Sequence, residues 1–168
     1  MPTKSVQAMP GLAVRGIHPE VLPAHAVYEP DNIGDTPNSR GFTVLLSAYQ
    51  ATGGALRRGE LARLLETRRR ADLSSLAGLI VSGGIFSFEW RNTLWVPMFQ
   101  FEPCDLSIKQ GPRKVLGELA TVFERWTLAA WFAQPNSWLK GLRPVDLLDS
   151  NLPAVFAAAR ADRFVAAG

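Results

Sequence analysis

Between residues 41 and 83, apolar side chains recur every three or four positions, which is the spacing of one face of an α-helix. The first such run opens at Gly41 and ends at Gly53-Gly54, a pair suited to a helix C-terminus. A second helix is predicted over 58–67, with leucines facing inward and arginines outward. A third is predicted over 74–82 and closes at a second glycine pair.

The apolar period then changes from helical to two, which predicts a β-hairpin with strands over 85–90 and 94–101. A turn centred on Asn92-Thr93 would place Trp90 opposite Trp95, with the aromatic side chains of both strands on one face. That aromatic face is expected to close the core over the helices. Within the second strand Pro97 has no N–H to donate, so we expect this strand at a sheet edge.

The C-terminal third returns to a helical period. One long amphipathic helix is predicted over 112–133, ending there because Pro135 disfavours helix in the residue before it. A compact turn over 135–141 follows, then a short helical turn over 143–149 and an alanine-rich last helix over 152–166. These elements together predict an α+β protein that is mostly helical.

Three segments are expected along the chain. Residues 1–40 hold six of the twelve prolines and predict an extended arm. Residues 41–103, the first unit, place three helices before a hairpin, which is the order of elements in a winged-helix unit. Residues 112–168, the C-terminal module, form a helical domain.

Charge is concentrated in one stretch of the chain. The formal net charge is only +3, but residues 41–70 carry six arginines against two glutamates. Arginines beside the second helix are candidates for binding DNA phosphates. The third helix has no Arg, Lys, Asn or Gln to read base edges, so a solvated basic face competes with DNA binding. The candidate DNA-binding residues are Arg57, Arg58, Arg63, Arg68, Arg69 and Arg70.

Catalytic and metal-binding patterns are sparse, so we expect no enzyme, no cofactor and no metal site. His18 and His25 lie in the arm without ligand partners at metal spacing. Cys104 is the one cysteine, which favours a reducing, cytoplasmic compartment. Asp146 and Asp149 are one helical turn apart and are interpreted as solvated surface carboxylates. No apolar run predicts a secretory signal or a membrane span.

A motif in the C-terminal module resembles a known family. The stretch from Trp131 to Leu139, followed by Gly141, Arg143-Pro144 and Asp146-Leu147-Leu148, is similar to the toxin-binding domain of Xre/MbcA/ParS-type antitoxins. The resemblance runs from about Pro112 to the end of the chain, and the upstream segment 95–101 is similar to the strand that precedes this domain in the family. The residues interpreted as the structural motif are Trp131, Pro135, Asn136, Trp138, Leu139 and Pro144.

The resemblance implies a protein-binding function. Members of the family pair with RES-type toxins, which consume NAD, and often repress their own operon by binding operator DNA. By the resemblance, the last helix and the tail would enter or cover the toxin's active-site cleft. Arg160, Arg163 and Phe164 are the expected toxin-binding residues because they lie near the free end. Self-association is also expected, from the aromatic content and the alanine-rich last helix.

Two alternatives remain open at this point. The repressor-type helix-turn-helix typical of Xre antitoxins is not matched upstream, so the chain is alternatively an orphan winged-helix-like DNA-binding regulator without a toxin. The tryptophans of the motif would then be core residues only. Under the same alternative, Asp162 pairs with one of the arginines of the last helix on a solvated face.

Overall fold

The computed structural model describes residues 33–34, 36–68 and 76–168. This part of the chain is α+β and mostly helical. Three short 3-10 turns, at Gln50–Thr52, Met98–Gln100 and Ser137–Leu139, join some of its elements. The elements are α1 Ser39–Tyr49, β1 Ala55–Arg57, α2 Arg58–Thr67, α3 Leu76–Val81, β2 Phe88–Trp90, β3 Thr93–Pro97, α4 Gln110–Leu119, α5 Arg125–Ala133, α6 Pro144–Leu147 and α7 Leu152–Ala167.

The helices of the first unit lie where the apolar period predicts them. The α1 helix begins after Asn38, whose side-chain Oδ1 accepts from the N–H of Gly41 at 2.7 Å. Its 3-10 extension ends at Gly53, which has a φ of 95°. The α2 bounds match the prediction, and α3 ends at Gly83, whose φ is 70°. The predicted start of the third helix and most of the predicted arm over 1–40 lie outside the described residues. At the end of that arm the prediction is wrong, because Ser39 and Arg40 already belong to α1.

The three strands form one antiparallel sheet in the order β1-β3-β2. Strand β1 was not predicted, because three residues are too few to show a period of two. The expected edge position of the Pro97 strand is wrong, since β3 lies in the centre. Pro97 is tolerated there because it is the last residue of β3, where its missing donor does not interrupt the ladder.

The hairpin is confirmed, but its predicted register is wrong. The turn residues are Arg91 and Asn92, with φ of 47° and 57°, so Trp90 lies opposite Thr93 and Phe88 lies opposite Trp95. A two-residue turn with both φ values positive matches the twist of paired strands. The shift is by two residues, which keeps the aromatic side chains on the predicted face.

That aromatic face packs on the helices, as predicted. The ring of Phe42 on α1 stacks on Trp90 at 4.9 Å between centroids and meets the edge of Trp95 at 5.1 Å. Trp90 also stacks on Trp126 of α5 at 6.2 Å. The hairpin therefore closes a core that contains helices from both the first unit and the C-terminal module.

The prediction of a single helix over 112–133 is wrong, because the structure has two helices in this region, α4 and α5. The N–H groups of Val122 and Phe123 both donate to the carbonyl of Leu119, which makes a turn. The β-branched pair Thr121-Val122 is a weak helix former. The break lets α4 pack against α7 while α5 packs against α1, and a helical period carries no information on such a change of direction.

The larger core cluster joins the two predicted segments directly. Tyr49 of α1 is fully buried, and its hydroxyl donates to the carbonyl of Ala129 on α5 at 2.6 Å. Burial raises the pKa of the Tyr49 phenol well above its usual range, so this hydroxyl remains a donor. Phe99 belongs to this cluster, whereas Phe101 belongs to a second cluster with Leu61 and Val96. The shared face predicted for Phe99 and Phe101 is therefore wrong, because β3 ends before them.

One buried amide fixes the chain after β3. Gln100 is 1% exposed, and its Nε2 donates to the carbonyls of Phe86 and Pro97, each at 3.0 Å. Its Oε1 accepts from the N–H of Phe86 at 2.7 Å. The side chain thus supplies three hydrogen bonds to backbone that lies outside the ladder of β2 and β3.

Candidate functional site

The segment after α5 is a tight turn built around Asn136. Its Oδ1 accepts from the N–H of Trp138 at 2.9 Å, and its carbonyl accepts from the N–H of Gly141, also at 2.9 Å. The N–H of Asn136 donates to the carbonyl of Leu142 at 3.0 Å, which closes the loop. Lys140 and Gly141 both have positive φ, which permits the sharp reversal. The turn thereby holds the Trp138 side chain in one orientation.

The polar atoms of the motif converge on one carboxylate of the last helix. Asp162 Oδ2 accepts from Trp131 Nε1 and from Asn136 Nδ2, each at 2.7 Å. Its Oδ1 accepts from Trp138 Nε1 at 2.8 Å. Hydrogen bonds to an ionised acceptor are shorter and stronger than neutral ones. We call this set of four side chains the Asp162 network.

The interpretation of Asp162 as a surface partner of an arginine is therefore wrong. Indole Nε1 is a donor only, and the acceptor that the two tryptophans of the motif share is the carboxylate of Asp162. Asp162 is the one acidic residue in 152–168, and that fact was the available signal. Trp131, predicted to be structural, donates to this carboxylate and so links α5 to α7.

The three expected toxin-binding residues differ in their surroundings. Arg160 is exposed, and Phe164, one helical turn later on the same face, is 79% exposed. Arg163 instead forms an ion pair with Glu118 of α4, with 2.6 Å between Nη1 and Oε2. Arg163 therefore ties α7 to α4, while its side chain remains 44% exposed.

Further apolar side chains are exposed close to the Asp162 network. Trp138 is 58% exposed although its Nε1 is bonded, and Leu142, which pairs with Asn136, is 53% exposed. Val165 lies three residues after Asp162, on the same side of α7, and is 69% exposed. The network thus holds exposed apolar surface in fixed positions, a property of protein-binding sites.

In the first unit, arginines of α2 and the hairpin tip line one open cleft of about 440 Å³, and we call it the basic cleft. Arg58 and Arg63 are exposed on α2, and Asn92 and Thr93 face them from the hairpin. Glu60 also lines the cleft, where its Oε2 accepts from the N–H of Arg57 at 2.9 Å and caps the helix. The fold thereby brings the arginines of α2 next to the hairpin turn, which lies about 30 positions further along the sequence.

Arg57 has a second contact that fixes its side chain. Its guanidinium carbon lies 5.3 Å from the ring centroid of Trp95, a cation–π distance. At the other end of the hairpin, the guanidinium of Arg91 lies 5.2 Å from the centroid of Trp90 and donates to Ser39 Oγ at 3.3 Å. Both arginines therefore pack on the aromatic strands although they are exposed, and Arg58 and Arg63 are the exposed cations that α2 contributes to the cleft.

Of the remaining predicted DNA-binding residues the structure describes Arg68, which does not line the basic cleft. Arg68 Nη1 donates to the carbonyl of Cys104 at 2.8 Å and lines a different cleft with Glu102 and Lys109. Arg69 and Arg70 lie outside the described residues. Among the four of these arginines that the structure describes, Arg57, Arg58 and Arg63 therefore share one cleft and Arg68 lines another.

Candidate catalytic groups are not assembled within the described ranges. Asp146 is bonded to Arg143 at 2.7 and 3.1 Å, and Asp149 is bonded to Lys109 at 2.8 and 2.9 Å. The two carboxylates are thus separately paired, rather than simply solvated as predicted. Over residues 33–34, 36–68 and 76–168, no group of three His, Cys, Asp or Glu side chains could hold a metal ion. The two histidines lie outside these ranges.

Across the helices that the structure describes, none has the length and apolar character needed to cross a membrane. Comparisons of the chain with models of known protein families, with curated proteins and with solved structures find no match.

Proposed function

We propose that the chain is an antitoxin-like regulatory protein that binds and neutralises a RES-type toxin through its C-terminal module. The observation that supports this proposal is the Asp162 network. Three of the motif residues that carry the resemblance, Trp131, Asn136 and Trp138, donate to Asp162 of the last helix, so they position α7. The helix then presents Arg160 and Phe164 on an exposed face.

The experiment is capture of a RES-type toxin from the native host by the full-length chain after co-expression. The variant Arg160→Glu with Phe164→Ala is expected to weaken the complex about tenfold or more, as loss of an aromatic anchor does. It is also expected to restore NAD consumption by the toxin. Arg113→Glu, an exposed arginine on α4, is the matched control. The proposal would be contradicted if the double variant captured as much toxin as the wild-type chain. It would also be contradicted if neither the wild-type chain nor the double variant bound a RES-type toxin.

A second function, DNA binding, is supported by the topology of the first unit. The order α1-β1-α2-α3-β2-β3, with β3 between β1 and β2, matches that of a winged-helix unit. The basic cleft lies between α2 and the hairpin, where a wing would meet the phosphate backbone. The described α3 has the sequence LAGLIV, which has no side chain for base reading. We therefore infer contacts to phosphates rather than to specific bases.

Fluorescence anisotropy with duplex DNA at low salt tests this second function. Arg58→Gln with Arg63→Gln should weaken binding for all sequences alike and reduce the slope of log K against log salt by about two, one for each lost phosphate contact. Arg68→Gln, whose side chain lines a different cleft, should have little effect. Undetectable binding at low salt would exclude this function.

Self-association of the chain stays a prediction, to be tested by light scattering.

A further inference from the structure

An apolar groove of about 330 Å³ lies between α3 and the helices α4 and α5. Its walls are formed by Ile80 of α3, Phe86 before β2, Leu116 of α4 and Phe123 from the turn between α4 and α5. The volume is at the lower end of the range for small-molecule sites, about 300–1,000 Å³. Such sites combine apolar walls with a few polar groups that fix the ligand's orientation.

One polar group of this kind is present. Arg125 is the one charged residue among the described residues that line the groove. Its Nη1 donates to the carbonyl and Oγ of Ser87, at 3.4 and 3.1 Å, and Ser87 is fully buried. The guanidinium is thereby anchored from one side. Its Nε and Nη2 donors have no acceptor among the described residues, and no carboxylate of that set lies within ion-pair distance.

Two carboxylates line a neighbouring cleft, which shares Phe123 and Arg125 with the groove. Glu89 and Glu124 share a neighbouring cleft with Arg125, on the side of Trp126, and neither lines the groove. The groove therefore combines a neutral apolar interior with one cation at its side. That combination complements a ligand with an apolar body and a single negative charge.

A glycine keeps the groove open. Gly117 lies inside α4, and a Cβ placed on it would have no atom within 4 Å. Glycine inside a helix is less favourable than alanine, and here no close contact requires it. Because Gly117 lines the groove, a larger side chain at this position would project into the space that the groove provides.

We propose that this groove binds a small amphipathic carboxylate. The carboxylate accepts hydrogen bonds from the free donors of Arg125, and the apolar body lies against Ile80, Phe86, Leu116 and Phe123. The ligand contacts α3 from the first unit and α4 and α5 from the C-terminal module. Binding therefore stabilises the arrangement of the two segments, because only the folded chain forms the groove.

Titration calorimetry of the full-length protein with sodium decanoate, below its micelle concentration, tests the proposal. We expect one saturable site for decanoate, and weaker binding or none for two comparison probes. Decyltrimethylammonium has the same tail with a positive charge, and acetate has the carboxylate without the tail. Equal binding of decanoate and decyltrimethylammonium, or no binding of decanoate, would overturn the proposal.

Variants locate the site. Arg125→Gln is expected to weaken decanoate binding about tenfold or more, because hydrogen bonds to a charged partner are lost. Gly117→Leu should abolish binding by filling the groove, whereas Gly117→Ala controls for helix propensity and should retain binding. Arg113→Gln controls for the loss of one positive charge on a neighbouring exposed position. Circular dichroism verifies that each variant is folded, and unchanged affinity in both Arg125→Gln and Gly117→Leu would place the ligand elsewhere.

Discussion

Gln100 in the first unit and Asp162 in the C-terminal module each account for three hydrogen bonds, and the two side chains differ in their partners. In the first unit, the buried amide of Gln100 bonds to backbone atoms of Phe86 and Pro97. In the C-terminal module, the carboxylate of Asp162 bonds to three side chains. One centre is neutral and buried, and the other is charged and partly exposed.

This difference in partners determines whether each set of hydrogen bonds can be recognised from the sequence. Every residue has a backbone carbonyl, and all but proline have an N–H, so the partners of Gln100 require no particular side chain. The partners of Asp162 must be donors of specific shape and position, which is why tryptophan and asparagine occur at fixed spacing around Pro135. A centre built from side chains is therefore visible as a motif, and one built from backbone is not.

The largest expected effect is at Gln100. Replacement by leucine leaves a buried N–H and two carbonyls without partners, and we expect a loss of about 3 kcal/mol or more in the free energy of unfolding. Urea denaturation followed by circular dichroism measures this change. Gln110→Leu, at an exposed position on α4, should change the stability by less than about 0.5 kcal/mol. Equal effects of the two variants would show that the Gln100 bonds do not contribute.

Asp162→Asn is expected to have an intermediate effect, with a loss of about 1–2 kcal/mol. Hydrogen bonds to a charged acceptor contribute about 1.5–3 kcal/mol each, but this site is partly exposed and asparagine keeps one acceptor oxygen. Denaturation curves and the fluorescence of Trp131 and Trp138 report the change.

The matched control is Asp146→Asn, which removes an exposed carboxylate paired with Arg143. It should cost less than about 0.5 kcal/mol, as exposed ion pairs generally do. If Asp162→Asn lowered the free energy of unfolding by as little as Asp146→Asn, the three hydrogen bonds to Asp162 would contribute no more to stability than a surface ion pair.

The same distinction explains how far the fold could be predicted. Helices with a long apolar face, such as α1, α2 and α7, were predicted within a few residues because burial of one face imposes the period. Strand β1 is too short to show a period, and its position depends on pairing with β3. The break between α4 and α5 depends on packing against two different helices, which no local pattern encodes.

The candidate sites show the same limit. The motif residues were identified, but their acceptor lies 24 to 31 residues further along the chain, and its role follows only from the packing of α7. Likewise, the arginines of α2 were identified as a group. Their meeting with Asn92 depends on the hairpin register, which was predicted with the turn displaced by one residue.

The smallest expected effect tests whether Asp162 acts through specific donors. Trp138→Phe removes one donor to Asp162 and little buried area, since the indole is 58% exposed, so we expect a loss of about 0.5–1 kcal/mol. Combined with Asp162→Asn, it should cost less than the sum of the two single variants, because Asp162→Asn already weakens the bond that Trp138→Phe removes. A double-mutant cycle by urea denaturation measures this coupling.

Trp138→Phe combined with Gln100→Leu is the control and should be additive, since these side chains share no partner. Additivity in the Asp162 cycle as well would mean that the indole N–H contributes nothing, and that the tryptophan of the turn is retained for its exposed apolar surface alone.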